Sequence, residues 1–120
     1  MLHVWRGLLE SVYVACLVFE LNAQGISVVV EEPIPVQYRG VRIPCGFKAD
    51  LIVERAVIVE VKSVERLAPI HQAKMITYLR LADCPLGLIL NFNNTVMKDG
   101  IKRVVNNFPE ARGVQEAAQT

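Results

Sequence analysis

The first apolar pattern along the chain predicts a helix from Gly7 to about Ala23. Apolar residues recur there at spacings of three and four, which is typical of a helix. Between Gly7 and Leu21 the only charged residues are Glu10 and Glu20. Most of the helix surface is therefore expected to be buried, including two adjacent stripes formed by Leu8, Val12, Ala15 and Phe19 and by Leu9, Tyr13, Cys16 and Leu17.

The next part of the chain is rich in β-branched residues and predicts strands. Pro33 and Pro35 place the first strand at an edge or a bend, because proline cannot donate a ladder hydrogen bond. Pro44 and Gly46 indicate an irregularity within the second strand. A tight turn around Arg55 joins the second strand to the third. The first strand is expected at 26–30 and resumes at 36–38, the second is expected at 41–53 and the third at 57–63.

The second half of the chain alternates helix and strand. Pro69 opens a helix that runs to about Ala82, since proline is tolerated in a first helical turn. Leu86–Phe92 is a continuous apolar run, which is typical of a strand covered on both faces. A short C-terminal helix is expected at Ile101–Asn107. The order α-β-β-β-α-β-α predicts an α/β fold with a mixed sheet flanked by helices.

Length and composition predict a single small domain. The chain has 120 residues, of which 52% are hydrophobic, so we expect one core over residues 1–108 and a flexible tail at 109–120. No run approaches the roughly 18 apolar residues that span a bilayer. The three cysteines lack a metal-ligand spacing and favour reduced thiols, so we expect a cytoplasmic protein. The net charge of +1 means that any attraction to phosphate must come from a local patch.

The segment from Lys48 to Lys62 contains the candidate chemistry. With its turn near Arg55, Val53 faces Val57 across a hairpin, and directly opposed residues share one face of a sheet. One face is therefore expected to be apolar, with Leu51, Val53, Val57, Val59 and Val61. The other face is expected to hold Lys48, Asp50, Glu60 and Lys62, with Ile52 and Ile58 at the turn end.

Two interpretations of this polar face remain open on the residues alone. Charges on one face of a hairpin can serve solubility, as an ordinary solvated surface. Opposed carboxylates such as Asp50 and Glu60 repel, however, unless a cation neutralises them. Mg²⁺ is bound by one or two carboxylates together with waters and phosphate oxygens. Lys62, two residues beyond Glu60, would then orient or deprotonate an attacking water, or offset charge on the phosphorus.

The chain resembles a known family of nucleases. Asp50, followed on the next strand by Glu60-Val61-Lys62, is similar to the PD-(D/E)xK signature, with Ala49 where that signature has proline. Gly7, Glu10 and Tyr13 match the GxxExxY motif that gives its name to one PD-(D/E)xK-like family. The agreement continues, in order, through 45–47, 64–69, 77–80, 91–93 and 98–103. It covers residues 7 to about 107.

The resemblance implies a restriction-endonuclease-like α-β-β-β-α-β core and a nuclease that uses Mg²⁺ or Mn²⁺ to cut nucleic acid, with DNA as the expected substrate. Glu10 corresponds to an extra carboxylate that the first helix brings to the metal site. The expected metal ligands are thus Asp50, Glu60 and Glu10, and Lys62 completes the expected catalytic group. The second helix departs from the Gln-x-x-x-Tyr pattern of related exonuclease-like members, because Lys74 precedes Tyr78. The expected substrate-binding residues are Lys74, Tyr78, Lys48 and Tyr13.

Two other functions remain open at this stage. The Lys74 departure is compatible with a catalytically inactive nuclease-fold module that binds nucleic acid or a protein partner. The high apolar content in so short a chain is compatible with a homodimer whose site is completed or covered by a second copy. A membrane partner is not expected, and neither is a role for His71 beyond surface or packing contacts.

Overall fold

A computed structural model of the chain describes residues 9–93 and 97–106. Within these ranges a five-stranded mixed sheet has one α-helix on each face, and a separate two-stranded sheet lies beside it. The helices are α1 (Glu10–Ala23) and α2 (Pro69–Ala82), and a 3-10 helix covers Met97–Gly100. The strands are β1 (Val28–Pro33), β2 (Val36–Tyr38), β3 (Val41–Ile43), β4 (Lys48–Val53), β5 (Val57–Lys62), β6 (Leu86–Asn91) and β7 (Ile101–Val105).

The large sheet has the strand order β1-β4-β5-β6-β7. Only β5 and β6 run parallel, because α2 connects them and returns the chain to the same end of the sheet. The other neighbours are antiparallel. This confirms the predicted α/β class and mixed sheet, and it is consistent with a restriction-endonuclease-like core. In the described residues no helix has the length and apolar character needed to cross a membrane.

Two hydrophobic clusters hold the helices on the sheet. On the α1 side the buried residues are Tyr13, Leu51, Val59, Val61 and Phe92. On the α2 side they are Ile34, Ala49, Ile52, Ile58, Met75, Tyr78, Leu79, Cys84, Ile89 and Val104. The odd-numbered residues of β5 thus share one apolar face, as predicted; this face is covered by α1, and Ile58 faces α2. Burial of both faces explains the long apolar runs of the central strands.

Three predicted elements differ from the structure. Residues 41–53 form two strands, β3 and β4, because the segment around Pro44 and Gly46 leaves the large sheet and Gly46 has a φ of 78°. The first strand is Val28–Pro33 instead of 26–30, and it is an edge strand, as its proline required. The predicted helix at Ile101–Asn107 is wrong. Its β-branched residues form β7, which pairs with β6 and covers that strand's other edge. The tail at 109–120 lies outside the described residues.

Gly87 allows α2 to lie close to β6. A Cβ atom at this position would lie 2.5 Å from the sulfur of Met75, 2.8 Å from its Cγ and 3.3 Å from Cδ2 of Leu79. Both side chains are fully buried, so neither has open space to move into. Glycine is therefore needed here for packing, since interiors are close-packed and extra volume forces rearrangement.

We expect Gly87→Ala to lower the free energy of unfolding by about 1–3 kcal/mol, the usual range for overpacking a core. Urea unfolding of the variant and the wild type measures this difference. The matched test is the double variant Gly87→Ala/Met75→Ala. If Met75 is the obstacle, the two losses will be less than additive. Strictly additive losses of unfolding free energy would show that Met75 is not the side chain that the added methyl group displaces.

Candidate active site

The predicted turn register of the β4–β5 hairpin is confirmed. Val53 pairs with Val57 and Leu51 with Val59, so Asp50 and Glu60 occupy the next opposed positions. The ladder itself ends at Leu51 and Val59. Beyond that rung the two strands are joined by side chains, and the carboxylates of Asp50 and Glu60 lie between them.

The two carboxylates are held by crossed hydrogen bonds. The backbone N–H of Asp50 donates to Oε1 of Glu60 over 3.0 Å, and the N–H of Val61 donates to Oδ2 of Asp50 over 2.8 Å. Each acid therefore accepts a hydrogen bond from the opposite strand. Backbone groups that would normally close the ladder are used to fix the two acids side by side.

Asp50 also breaks the alternation of β4. Ala49 belongs to the cluster on the α2 side, whereas Leu51 belongs to the cluster on the α1 side. The predicted single polar face from Lys48 to Asp50 is therefore not regular. Asp50 lines a groove together with Glu10 of α1, whereas Glu60 interacts electrostatically with Lys74 of α2. Asp50 and Glu60 thus lie where the α1 side and the α2 side of the sheet meet.

Glu60 has the most perturbed carboxyl group among the described residues. Its side chain is 5% exposed, and this burial raises its pKa from 4.5 to about 7. The hydrogen bond from Asp50 lowers the pKa, the charge of Asp50 raises it, and Lys62 and Lys74 lower it. The protonated form of Glu60 is therefore favoured below neutral pH, and additional positive charge would favour the ionised form.

Glu10 reaches the site from the first turn of α1. Its Oε2 accepts a hydrogen bond from the backbone N–H of Ser63, directly after Lys62, over 2.9 Å. Three residues later, Tyr13 is fully buried and stacks on Phe92 with ring centroids 4.4 Å apart. A spacing of three places both side chains on the same face of the helix. Tyr13 therefore docks α1 on the sheet, and the expected substrate contact does not fit this buried position.

The α2 side of the site contains Lys74 and Tyr78, of which Tyr78 is 2% exposed and belongs to the buried cluster on that side. The ammonium of Lys74 lies 5.6 Å from the ring centroid of Tyr78. Burial lowers the pKa of Lys74, but its hydrogen bond to Tyr78 and its electrostatic interactions with Tyr78, Glu60 and Asp50 outweigh this effect and raise it. Lys74 is therefore a firmly charged ammonium that faces the acids. His71 instead caps α2, because its Nδ1 accepts the N–H of Ala68 over 2.8 Å.

Asn91 and Phe92 position the backbone of the site, although the sequence analysis assigned neither of them a role. Asn91 is buried at the end of β6 and fixes the loop after β5. Its Oδ1 accepts the N–H of Val64 over 3.1 Å, and its Nδ2 donates to the carbonyl of Val64 over 2.9 Å. The N–H of Phe92 donates to the carbonyl of Lys62. A buried asparagine that ends an apolar run is the signal that would have identified Asn91, since buried polar groups need partners.

The three predicted metal ligands are not assembled into one group. Within residues 9–93 and 97–106, no set of three or more histidine, cysteine, aspartate or glutamate residues is arranged to hold a metal ion. Asp50 and Glu60 meet, whereas Glu10 is bound to the backbone of Ser63. The expectation of three direct ligands is thus reduced to two adjacent carboxylates with a third acid nearby.

The family profile decides the assignment of this geometry. The profile of the PD-(D/E)XK nuclease superfamily matches residues 3–104. The chain belongs to the PD-(D/E)XK nuclease superfamily. Comparison with curated proteins and with solved structures found no match. Members of the PD-(D/E)XK superfamily typically use divalent metals and act in general on nucleic acid. The crossed hydrogen bonds show how this chain brings Asp50 and Glu60 together.

Proposed function

We propose that this domain hydrolyses phosphodiester bonds in DNA with Mg²⁺ or Mn²⁺. The observation that supports it most is the pair Asp50 and Glu60, fixed side by side by crossed hydrogen bonds with Lys62 on the same strand as Glu60. A buried acid with an elevated pKa beside a second acid is unfavourable for the fold alone. Such a pair is expected where a cation is to be bound.

The donor set fits a hard divalent cation. Asp50 and Glu60 would hold it, because Mg²⁺ takes one or two carboxylates and completes its shell with waters and phosphate oxygens. Glu10 would act through a water, since it is near Asp50 in the same groove but bound to Ser63. When bound, the metal would supply charge neutralisation and a more acidic water. The elevated pKa of Glu60 is the feature that a bound cation would relieve.

Lys62 and the α2 pair supply the remaining charges. Lys62 is half-buried, and the hydrogen bond from Phe92 to its carbonyl fixes the backbone beside the acids. Its amine would orient the attacking water or stabilise charge on the phosphorus. Lys74, held over Tyr78, would bind a neighbouring phosphate of the substrate. Lys48 is exposed at the start of β4 and would contact the backbone further along.

We also propose membership of the GxxExxY family within the superfamily. The glycine of the motif, Gly7, lies outside the described residues. Glu10 and Tyr13 have a physical reason for their spacing, because one reaches the loop after β5 and the other packs below it. The motif therefore couples a carboxylate at the site to the packing that holds its helix.

Incubation with supercoiled, linear duplex and single-stranded DNA tests the proposed activity. We expect cleavage of at least one substrate with Mn²⁺ and none in EDTA, because the acids alone provide no Lewis acid to neutralise the phosphate charge or to make the attacking water more acidic. Lys62→Ala, purified in parallel, guards against a contaminating nuclease and should be inactive. Cleavage that is unchanged by EDTA or by Lys62→Ala would contradict the proposal.

A second candidate function is a catalytically inactive module that binds nucleic acid. The observation that favours it is Lys74, whose charge already acts on Glu60 and so partly replaces a metal cation. This function predicts DNA retention that weakens with salt, with no cleavage in Mn²⁺ by the wild type. The same incubation therefore separates the two functions.

A further inference from the structure

The two-stranded sheet formed by β2 and β3 is a hairpin arm, which we define as residues 34–47. Val36 pairs with Ile43 and Tyr38 with Val41, so the turn consists of Arg39 and Gly40 alone. Both have positive φ, 51° and 75°, as a two-residue type I′ turn requires. Glycine adopts this geometry freely, whereas arginine is strained in it. Arg39 nevertheless occupies the first position of this turn.

The arm is basic for this chain. Residues 33–49, which add one residue before the arm and two after it, contain Arg39, Arg42 and Lys48 and no acidic residue. They hold three of the 13 basic residues and none of the 12 acidic ones, so the rest of the chain has a net charge of −2. Among the residues that the structure describes, none of these three cations takes part in an ion pair. Their charge is therefore available to a partner.

One side of the arm also exposes large apolar side chains. Tyr38 and Val41 share that side and are 57% and 58% exposed. The guanidinium of Arg39 lies 5.5 Å from the ring centroid of Tyr38. The other side carries Gln37 and Arg42, which line a cavity next to β4 and α2. The outward side thus combines a cation, which can contact guanine edges in a major groove, with apolar side chains that can contact thymine methyl groups.

We propose that the arm binds double-stranded DNA in its major groove and so fixes the duplex beside the Asp50–Glu60 site. This inference rests on the proposed function for its choice of nucleic acid. A two-stranded β-ribbon fits the major groove of B-form DNA, whereas the major groove of an A-form RNA duplex is too deep and narrow for side chains. The substrate class is therefore duplex DNA.

The position of the arm agrees with this role. The arm leaves the large sheet at the rung where Pro33 pairs with Lys48, two residues from Asp50. The hydrogen bond from Ile34 N–H to the carbonyl of Phe47 continues the pairing into the arm. Ten residues separate Asp50 from Gly40, a fully extended path of at most about 35 Å. This is about one turn of B-form DNA, so the tip contacts the duplex within one turn of the acids.

The test measures DNA binding by the full chain in EDTA, where no cleavage interferes. The probe is a fluorescein-labelled DNA duplex of about 21 base pairs, two helical turns. The variant is Arg39→Gly/Arg42→Gln, in which glycine suits the turn and the fold is preserved. The charge-matched control is Arg80→Gln/Lys102→Gln, which removes two exposed cations from α2 and β7. Circular dichroism checks the folding of both.

We expect the arm variant to raise Kd on the order of tenfold at about 0.1 M salt, and the control to change it less than about twofold. The slope of log Kd against log salt should fall by about 2 in the arm variant. An RNA duplex of the same sequence should bind at least about tenfold more weakly than the DNA.

Several results would overturn the arm's role. These are equal losses in the two double variants, RNA bound as tightly as DNA, or no DNA binding by the wild type. A dimer in light scattering that Tyr38→Ser dissociates would assign the exposed side to a second copy instead. Failure of the proposed function is distinguishable, because it appears as absent cleavage in Mn²⁺ while arm-dependent binding in EDTA persists.

Discussion

Glu60→Gln should reduce Mn²⁺-dependent cleavage of DNA by on the order of a thousandfold or more, since single groups that stabilise developing charge contribute about 10²–10³ and this residue would also hold the ion. The substitution keeps the size of the side chain and its amide oxygen can still accept the N–H of Asp50, so the hairpin is retained. The substitution removes only the negative charge of the Glu60 carboxylate. Initial rates with the preferred DNA substrate measure the loss.

The matched control for this experiment is Glu20→Gln, which removes the same charge from α1, ten residues along the helix from Glu10. Its cleavage rate should be within about twofold of the wild type, as for most changes away from a site. Calorimetric titration with Mn²⁺ gives a second readout that is independent of turnover. Heat of binding should be lost in Glu60→Gln and kept in Glu20→Gln. Full activity in Glu60→Gln would remove this acid from the mechanism.

The metal-free protein should lose about 3 kcal/mol of stability as the pH rises from about 4.5 to 7, because of Glu60 alone. Its folded-state pKa is raised, so the fold favours the protonated acid. The stabilisation is fully present below the unfolded-state value and is lost as pH rises through the folded-state value. Each pH unit in this window corresponds to about 1.4 kcal/mol.

Urea unfolding in EDTA across this pH range, for the wild type and Glu60→Gln, measures the effect. The difference between the two curves isolates Glu60, because every other titrating group is common to both. We expect Glu60→Gln to be the more stable protein at about pH 8, by on the order of 3 kcal/mol. Adding Mn²⁺ should stabilise the wild type and leave the variant unchanged. If stability depended on pH in the same way in the wild type and in Glu60→Gln, Glu60 would not have a raised pKa in the folded state.

The parts of the fold that periodicity predicts well are those whose burial is regular. The helix Pro69–Ala82 and the hairpin register at Val53 and Val57 were predicted correctly, because proline fixes one and a tight turn fixes the other. β7 was assigned as a helix because a short apolar run has no decisive period. This segment forms a strand because it pairs with the edge of β6, and this tertiary contact cannot be inferred from the local sequence.

The candidate site was predictable in composition but not in its local geometry. Opposed positions in a hairpin brought Asp50 and Glu60 together, as strand alternation implies. Alternation could not show that β4 changes face at Asp50, since this follows from side chains replacing ladder bonds. The family resemblance implied a substrate contact for Tyr13, whereas its stack on Phe92 is a contact between residues far apart in sequence.

The hydrogen bond from Ser63 to Glu10 joins positions 53 residues apart, and α2, with Lys74, follows still later in the chain. During synthesis the first acid emerges long before the strand that it meets, and the lysine emerges after both. No piece of the polypeptide shorter than residues 10–74 holds all of these groups. Under the proposed function, cleavage therefore requires that both helices have docked on the sheet.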